Sequence, residues 1–454
     1  MVRTTGQRSR DWGNHHPSTR PEPPPGVASA VKSRRTVVVS AVVTVCSVLL
    51  VPRALGAPSP VEPNPKVSGP VTGGIHGRPF MSPIFNVADY SYSEKEFFFS
   101  GTAKAYGATD SPAAYETRMV VFAPTSPRRF SGNVVVEWDN VTGQADGPAD
   151  FEWLYPQVFA NGDAYVEITA QQVGVCGMGL TGAPVAGEAA ACTPSSLKGF
   201  DPVRYAPLSH PGDAYAYDIF SQAMQAIRHP QGIAPLGRLA ARSILAIGES
   251  QSAFELDNYL IDGADSAAHL ANGFLIDSDL SHAETTTYRV PTLFFWGEDS
   301  AQDVRATSGR NHVAWSVSGA AHTDYWMLQH LVDDLVGSAV NSPPVTMAQQ
   351  QMLEQQQGNY AQEGPSASAT CAGGEEFPKR YVFDAALVDL EQWAGGGRAA
   401  PSVPALEFGT GGLSPSSSGM GVTFKTDPAG NALGGLREPW ITVPVATYVG
   451  NACP

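Results

Sequence analysis

From residue 133 onward, short continuous apolar runs alternate with stretches in which apolar residues recur at helical spacing. Apolar runs of this length are typical of strands that are buried on both faces. The alternation therefore predicts βαβ units and an α/β fold, with a mostly parallel central sheet covered by helices on both faces. The predicted strands are residues 134–138, 164–168, 244–247, 273–276, 292–296 and 313–317, and the predicted helices are residues 150–161, 214–228, 253–261 and 325–335.

The chain before and between these elements is organised differently. Residues 58–79 are rich in Pro and Gly and predict an extended lead-in, followed by a β-hairpin region with strands at 96–105 and 115–123. Residues 172–208 predict a long loop beside the functional site, and residues 409–421 predict a surface loop. Residues 342–369 contain two Gln runs and predict a polar helix followed by a connector. We expect residues 80–454 to form a single domain.

The first 57 residues have the pattern of an export signal. Arg34 and Arg35 precede an apolar run at 36–51, and small residues at 54–57 suit cleavage. The run is short for a bilayer span, so we expect no stable membrane span after cleavage; an uncleaved anchor is the alternative. The segment Ser33-Arg34-Arg35-Thr36 resembles a twin-arginine signal, and residues 1–30 are expected to be disordered. The sequence thus predicts a secreted or cell-envelope protein.

Charge narrows the class of partner. The first 57 residues carry 8 Lys and Arg against 2 Asp and Glu, and the remaining residues carry 20 against 41, a net charge of −21. An acidic body repels phosphate backbones and anionic membrane surfaces. We therefore expect a small-molecule partner and no nucleic acid; the sequence leaves the oligomeric state open.

Cysteine usage agrees with export. After removal of Cys46 with the signal, Cys176, Cys192, Cys371 and Cys453 remain, enough for two disulfides. Of the three connectivities, Cys176–Cys192 with Cys371–Cys453 is preferred, because the first pair closes a Gly/Ala-rich loop. The sequence has no Cys-x-x-Cys and no clustered His/Cys spacing, so no metal is expected.

The segment Ser243–Phe254, with the sequence SILAIGESQSAF, carries the main candidate chemistry. A buried strand, a turn of small residues around Ser250 and a helix form the pattern of a nucleophile elbow. The tight turn requires small neighbours two positions before and after the serine, which Gly248 and Ser252 supply. The alternative is a turn in which Ser250 only caps the helix.

A serine nucleophile needs a base and an acid that orients the base. The strand at 292–296 is followed by Glu298 and Asp299, and the strand at 313–317 is followed by a small-residue turn and His322. The order Ser250, then Glu298 or Asp299, then His322 is that of the α/β-hydrolase arrangement. Among the other histidines, His210 is expected to anchor a loop and His330 to lie on the surface of its helix.

The developing oxyanion needs two backbone N–H donors. Gln251 follows the nucleophile at a helix N-terminus, where the helix dipole also favours negative charge. The second donor is expected in the loop after the strand at 134–138, at Asn140 or Val141.

In these residues and in a series of further motifs, the chain resembles the α/β-hydrolase domain family of secreted serine-hydrolase-like proteins with a G-E-S-Q-S-A elbow. The motifs lie at residues 134–138 with 140–143, 170–175, 201–205, 208–213 with 217–219, 248–254, 319–322, 427–435 and 443–446. The resemblance implies the serine-hydrolase fold, Ser250 as nucleophile and His322 as base.

The resemblance also favours Glu298 over Asp299 as the acid, because family members tend to carry Glu after the penultimate strand. This chain departs from the family in reading Glu298-Asp299-Ser300 where Glu-x-Asp is common. The family also usually continues beyond the position of Cys453, so we expect that the C-terminus is truncated.

The sequence as a whole predicts an exported serine hydrolase, specifically a carboxylic ester hydrolase that works through an acyl-enzyme and needs no cofactor. An amidase or peptidase that uses the same three residues is one alternative. A catalytically silent binding protein that keeps the fold is the other.

Overall fold

Short apolar segments build the centre of the molecule, as the sequence pattern predicts. The computed structural model describes residues 62–107, 111–178, 192–279, 288–300, 309–339, 344–346, 348–349, 377–409, 423–444, 446–448 and 450. Its strands are β1 Lys66–Ser68, β2 Tyr92–Ala103, β3 Ala113–Pro124, β4 Asn133–Trp138, β5 Ala164–Ile168, β6 Ser243–Glu249, β7 Gly273–Asp277, β8 Thr292–Trp296 and β9 His312–Ser316. They form one sheet in the order β1-β2-β3-β5-β4-β6-β7-β8-β9.

The helices are short or medium in length. They are α1 Ala149–Asn161, α2 Gln172–Cys176, α3 Leu197–Phe200, α4 Ala216–Arg228, α5 Gln251–Ile261, α6 Ala264–Ala268, α7 Tyr325–Ala339, α8 Lys379–Ala394 and α9 Pro439–Thr442, with 3₁₀ turns at Val87–Tyr90 and Asp213–Tyr215. No helix in the described part of the chain is long and apolar enough to cross a membrane.

Two hydrophobic layers cover the two faces of the sheet. Val134 and Val136 of β4 pack into the layer that contains α4 and α5, whereas Val135 between them packs into the layer that contains α1 and α8. Successive side chains of a strand point to opposite faces, so a continuous apolar run feeds both layers. This is the physical reason why the run, rather than an alternating pattern, marks these strands.

The connection of the strands creates a switch point beside β4. From β4 the chain passes through α1 to β5 on one side, and it later returns to β6 on the other side of β4. In such open α/β sheets, ligands bind beyond the carboxyl ends of the strands at the switch point. The loop after β4 and the elbow after β6 meet at that place.

The predicted α/β fold and its strands and helices are confirmed within a few residues at their ends. The hairpin of β2 and β3 is antiparallel over both strands, and β3 pairs antiparallel with β5. β1 also pairs antiparallel with β2. The five pairs of the sheet between β5 and β9 are parallel. The sequence did not predict β1, which is only three residues long, or the helices α2, α3, α6, α8 and α9. Of these, α2 and α3 lie within residues 172–208, which were expected to form a loop.

Cys176 and Cys192 form a disulfide, as the sequence predicts, with their Cα atoms 4.5 Å apart. Four other expectations concern residues outside the described part of the chain. They are the export signal at 1–57, most of the connector at 342–369, the loop at 410–421 and the pair Cys371–Cys453.

Candidate active site

Ser250 lies in a strained turn between β6 and α5. Its backbone has φ 56° and ψ −114°, a positive φ that is rare for a residue with a side chain. A Cβ atom added at Gly248 would lie 2.9 Å from the backbone of Ser252, so the turn excludes a larger residue there. The local sequence thus produces the sharp elbow, which exposes Ser250 Oγ above the end of the sheet.

His322 follows β9 and meets Ser250 across the end of the sheet. Its Nε2 atom lies 2.7 Å from Ser250 Oγ, and its side chain is 18% exposed. Burial acts to lower the pKa of His322, but the charge of Glu249, followed by the hydrogen bond and charge of Asp299, outweighs it and raises the pKa to about 9. The structure therefore brings together the two residues predicted as nucleophile and base.

The carboxylate beside the other ring nitrogen belongs to Asp299, which corrects the preference for Glu298. Asp299 Oδ2 lies 3.2 Å from His322 Nδ1. The Glu298 oxygens instead accept backbone N–H groups, from Gly319 at 2.7 Å and from Gly450 at 3.0 Å. The two neighbours point to different partners because consecutive side chains after a strand leave on opposite sides. Glu298 thereby fixes the turn before His322 to the C-terminal segment.

The expected oxyanion donors differ in availability. Gln251 is the first residue of α5, so its N–H has no acceptor within the helix. The N–H of Asn140 donates to Gly147 O at 3.0 Å in a closed antiparallel bridge, which corrects its expected role as a donor. The N–H of Val141 donates to the side-chain Oε1 of Gln251 at 3.2 Å. Of the two loop N–H groups, that of Val141 is the one that can become available to an oxyanion, because its present acceptor is a side chain and not the backbone.

Two charged residues at the site were missed by the sequence analysis. Glu249, the residue before the nucleophile, is buried and places Oε1 3.0 Å from His322 Nε2. Lys379, the first residue of α8, is fully buried and donates to Asp277 Oδ2 at 2.7 Å and to the backbone oxygen of His322 at 3.0 Å. Glu249 stands inside the elbow motif and could have been considered, whereas nothing in the local sequence links Lys379 to this site.

The two other histidines that the sequence analysis singled out, His210 and His330, do not take part in this arrangement. His210 is buried, and its Nε2 lies 2.9 Å from Ala170 O, as expected for a residue that anchors a loop. The expectation of a surface position for His330 is wrong. His330 is 2% exposed, its Nδ1 lies 2.8 Å from Trp326 O, and burial lowers its pKa to about 4. It lies on the apolar face of α7 that packs against Tyr155 of α1.

Within the residues that the structure describes, no group of three or more His, Cys, Asp or Glu side chains is arranged to hold a metal ion. The chemistry that the site offers is that of a hydroxyl, an imidazole and carboxylates held within hydrogen-bond reach of one another. Such an arrangement can activate a hydroxyl for attack on a carbonyl carbon.

The strand order, the elbow and the position of the imidazole define the class of the protein as an α/β hydrolase. A family model described as an alpha/beta hydrolase domain matches residues 67–453, and the chain belongs to that family. No curated protein matches the chain.

Solved structures that are similar to the chain include hydrolases of low sequence identity. A lidless α/β serine hydrolase from Xanthomonas campestris is 11% identical over 53% of this chain and 93% of its own, with a TM-score of 0.29. An α/β serine hydrolase homologue from Coxiella burnetii is 11% identical over 50% of this chain and 92% of its own, with a TM-score of 0.29. The esterase Est22 is 10% identical over 57% of this chain and 83% of its own, with a TM-score of 0.34.

Proposed function

We propose that the protein is an exported serine hydrolase that cleaves carboxylic esters of small molecules through an acyl-enzyme. The observation that carries this proposal is the 2.7 Å approach of His322 Nε2 to Ser250 Oγ at a strained elbow. A hydroxyl is a weak nucleophile at neutral pH, and a neutral imidazole within hydrogen-bond reach is the group that activates it.

In the acylation step, Ser250 Oγ attacks the ester carbonyl carbon and its proton passes to His322 Nε2. Asp299 holds Nδ1–H, fixes the tautomer that leaves Nε2 free to accept, and stabilises the imidazolium that forms. The imidazolium then gives the proton to the alkoxide leaving group. Water repeats the sequence on the acyl-enzyme and releases the carboxylic acid.

The oxyanion of each tetrahedral intermediate needs donors aimed at one point. The N–H of Gln251 supplies the first at the start of α5. The N–H of Val141 supplies the second once the substrate carbonyl oxygen replaces Gln251 Oε1, the acceptor that now lies 3.2 Å from it. The side chain of Gln251 has alternative partners nearby, since its Nε2 donates to Gln171 at 2.9 Å.

The export part of the proposal rests on residues 1–57, where two arginines precede an apolar run and small residues. The ester part rests on the site chemistry, which needs no metal or organic cofactor. An acidic body disfavours nucleic acid as a partner.

The test is hydrolysis of short p-nitrophenyl esters by the mature protein and by its Ser250→Ala variant. We expect the variant to lose activity by about 10⁴- to 10⁶-fold, the range for loss of a triad member. Ser266→Ala is the matched control, because Ser266 is exposed on α6, away from the site. Retention of activity by Ser250→Ala would discard the mechanism.

Two further measurements separate the rival functions. Faster cleavage of anilides than of esters with the same acyl group would identify an amidase. Failure of a fluorophosphonate probe to label Ser250 in the folded wild-type protein would identify a catalytically silent scaffold.

A further inference from the structure

Glu249 occupies a position from which it can act on the catalytic base. It is the last residue of β6 and the neighbour of the nucleophile, and it is 3% exposed. Its Oε2 accepts a hydrogen bond from Asn140 Nδ2 at 3.0 Å, and its Oε1 lies 3.0 Å from His322 Nε2, at ion-pair distance and to the side of the direction in which Nε2 meets Ser250. The carboxylate is therefore held in place from one side and contacts the imidazole on the other.

His322 Nε2 thus has two oxygen neighbours, Ser250 Oγ at 2.7 Å and Glu249 Oε1 at 3.0 Å. A neutral imidazole with its proton on Nδ1 offers only a lone pair at Nε2. A carboxylate oxygen beside that lone pair is repelled, and the repulsion becomes attraction once Nε2 carries a proton and the ring is charged. The close contact is favourable when Nε2 is protonated, because the carboxylate then lies beside the positive charge of the imidazolium.

In this protonated state Nε2 cannot take the proton of Ser250. We propose that Glu249 is a second carboxylate partner of the base, which keeps a proton at His322 Nε2 in the resting enzyme, and that loss of this proton makes Ser250 reactive. The inference rests on the proposed function, because it concerns the same nucleophile and base.

During turnover the same contact favours the reaction, whereas in the resting enzyme it suppresses it. When the proton of Ser250 has moved to Nε2, the charge of Glu249 stabilises the imidazolium until the proton passes to the leaving oxygen. Glu249 begins and ends each step in the same protonation state, so the step consumes no reagent. The contact lowers the reactivity of Ser250 only in the resting enzyme, which must first lose the proton at His322 Nε2.

The charges around this pair come from several elements. Asp277 ends β7, Asp299 follows β8, Asp150 belongs to α1, and Lys379 at the start of α8 is the buried cation. Burial raises the pKa of Glu249 to about 7 although His322 acts to lower it, and the pKa of His322 is raised to about 9. The surroundings therefore favour the retention of a proton at this site into the alkaline range.

The experiment compares wild type with Glu249→Gln over pH 5 to 10. Two rates are followed, hydrolysis of p-nitrophenyl acetate and labelling of Ser250 by a fluorophosphonate probe, with the Ser250→Ala rate subtracted as background. We expect the acid limb of both profiles to move to lower pH by about one unit, which is tenfold in rate on that limb. At the alkaline plateau the variant should react more slowly than wild type, because the imidazolium that forms during turnover has lost the charge of Glu249; this loss should be smaller than the gain on the acid limb.

Two variants serve as references. Glu94→Gln removes a carboxyl on β2 whose pKa burial also raises to about 7, and we expect the wild-type midpoint to persist. Glu249→Asp keeps the charge but retracts it from Nε2, so its midpoint should fall between those of wild type and Glu249→Gln. This second variant keeps the test decisive if Glu249→Gln does not fold.

The outcomes separate this inference from the proposed function. Absence of labelling and of hydrolysis in wild type would overturn the proposed function. A wild type that reacts, together with a Glu249→Gln variant that keeps the wild-type midpoint, would overturn only the role of Glu249. A rate loss that is equal at every pH would assign Glu249 a structural role and would also overturn it.

Discussion

The two consecutive carboxylates after β8 have separate tasks in the structure. Asp299 faces the imidazole nitrogen that does not contact the nucleophile, at 3.2 Å. Glu298 accepts N–H groups of Gly319 and Gly450 and is 2% exposed. Asp299 therefore lies beside the proposed base, and Glu298 holds two backbone segments together.

Exchange of each carboxylate for its amide should separate these tasks. Asp299→Asn should lower kcat by about 10⁴-fold, because the imidazole loses the partner that fixes its tautomer, while thermal stability changes little. Glu298→Gln should instead lower the free energy of unfolding by about 1–3 kcal/mol, because an amide N–H then opposes a backbone N–H. Ester hydrolysis and denaturant unfolding of both variants provide the check; a larger kcat loss in Glu298→Gln would reverse the assignment.

At the residue scale, the sequence predicted what local chain geometry determines. Ser250 could be found because its neighbours must be small in a turn between a strand and a helix, and Gly248 meets that requirement. The choice between Glu298 and Asp299 could not be made, because it depends on the direction in which each side chain leaves the turn. The N–H of Asn140 could not be excluded as a donor, because its bridge to Gly147 closes a loop with no sequence signature.

The start of α8 is the element that joins the far end of the chain to the site. Lys379 Nζ donates to Asp277 at the end of β7 and to the backbone oxygen of His322, and it lies 4.1 Å from the ring centroid of Trp153. Burial acts to lower the pKa of Lys379, but Asp277 and the other carboxylates outweigh it and raise the pKa. The ammonium thus neutralises one carboxylate close to the base and holds the main chain of the base itself.

Lys379→Met should lower the free energy of unfolding by about 3–5 kcal/mol, because it leaves Asp277 buried without its counter-charge. It should also lower kcat, since the carbonyl of His322 loses its donor. The double variant Lys379→Met with Asp277→Leu removes both charges and should regain much of the stability, although not the activity. Equal stability of the single and double variants in denaturant unfolding would contradict this account.

At the element scale, apolar runs were sufficient for the strands of the parallel sheet and for their order along the chain. The sequence analysis did not use the helical spacing in α8, where Val382, Phe383, Ala386, Leu387 and Leu390 are buried on one face; the burial of Lys379 at its start has no local sequence signal. Neighbour relations in the sheet also lay beyond the sequence. β5 lies between β3 and β4 because β3 of the hairpin joins the sheet edge antiparallel to β5.

The whole molecule buries far more acid than base. Among the described residues, the buried cations are Arg118, Arg204 and Lys379, whereas buried carboxyl groups occur on the strands, in α1 and in α7. The sequence charge of the body is therefore an overestimate of the charge that its surface presents. Composition alone could not predict how many acidic residues are buried, because the burial of a strand residue such as Glu137 depends on neighbours that only the fold brings together.

Burial raises the pKa of these carboxyl groups above the values of the unfolded chain. The groups whose pKa lies well above its ordinary value include Glu137, Asp139, Asp150, Glu152, Glu167 and Asp334. A carboxyl with a higher pKa in the folded state binds more protons there than in the unfolded chain. The free energy of unfolding therefore falls as pH rises from the unfolded pKa to the folded pKa of that group. His322 acts in the same direction, because its raised pKa stabilises the fold at low pH and this contribution is lost as pH rises through about 9.

Two buried histidines oppose this trend only at lower pH. Burial lowers the pKa of His210 and His330, so they destabilise the fold below the unfolded pKa of about 6.5 and have no effect above it. The interval from pH 6.5 to 9 therefore isolates the carboxyl groups and His322. In this interval every one of these shifts predicts a loss of stability with rising pH.

We expect the free energy of unfolding to be lower at pH 9 than at pH 6.5, by up to about 1.4 kcal/mol per pH unit for each group that titrates. Urea unfolding at constant ionic strength measures the free energy of unfolding at each pH. Glu152→Gln should reduce the slope, because it removes one titrating carboxyl, whereas Asp262→Asn, at an exposed position, should leave the slope as it is. Stability that is constant or rises between pH 6.5 and 9 would contradict the burial of protonated acids. Because Ser250 is expected to become reactive as pH rises, the protein should be most stable where it is least active.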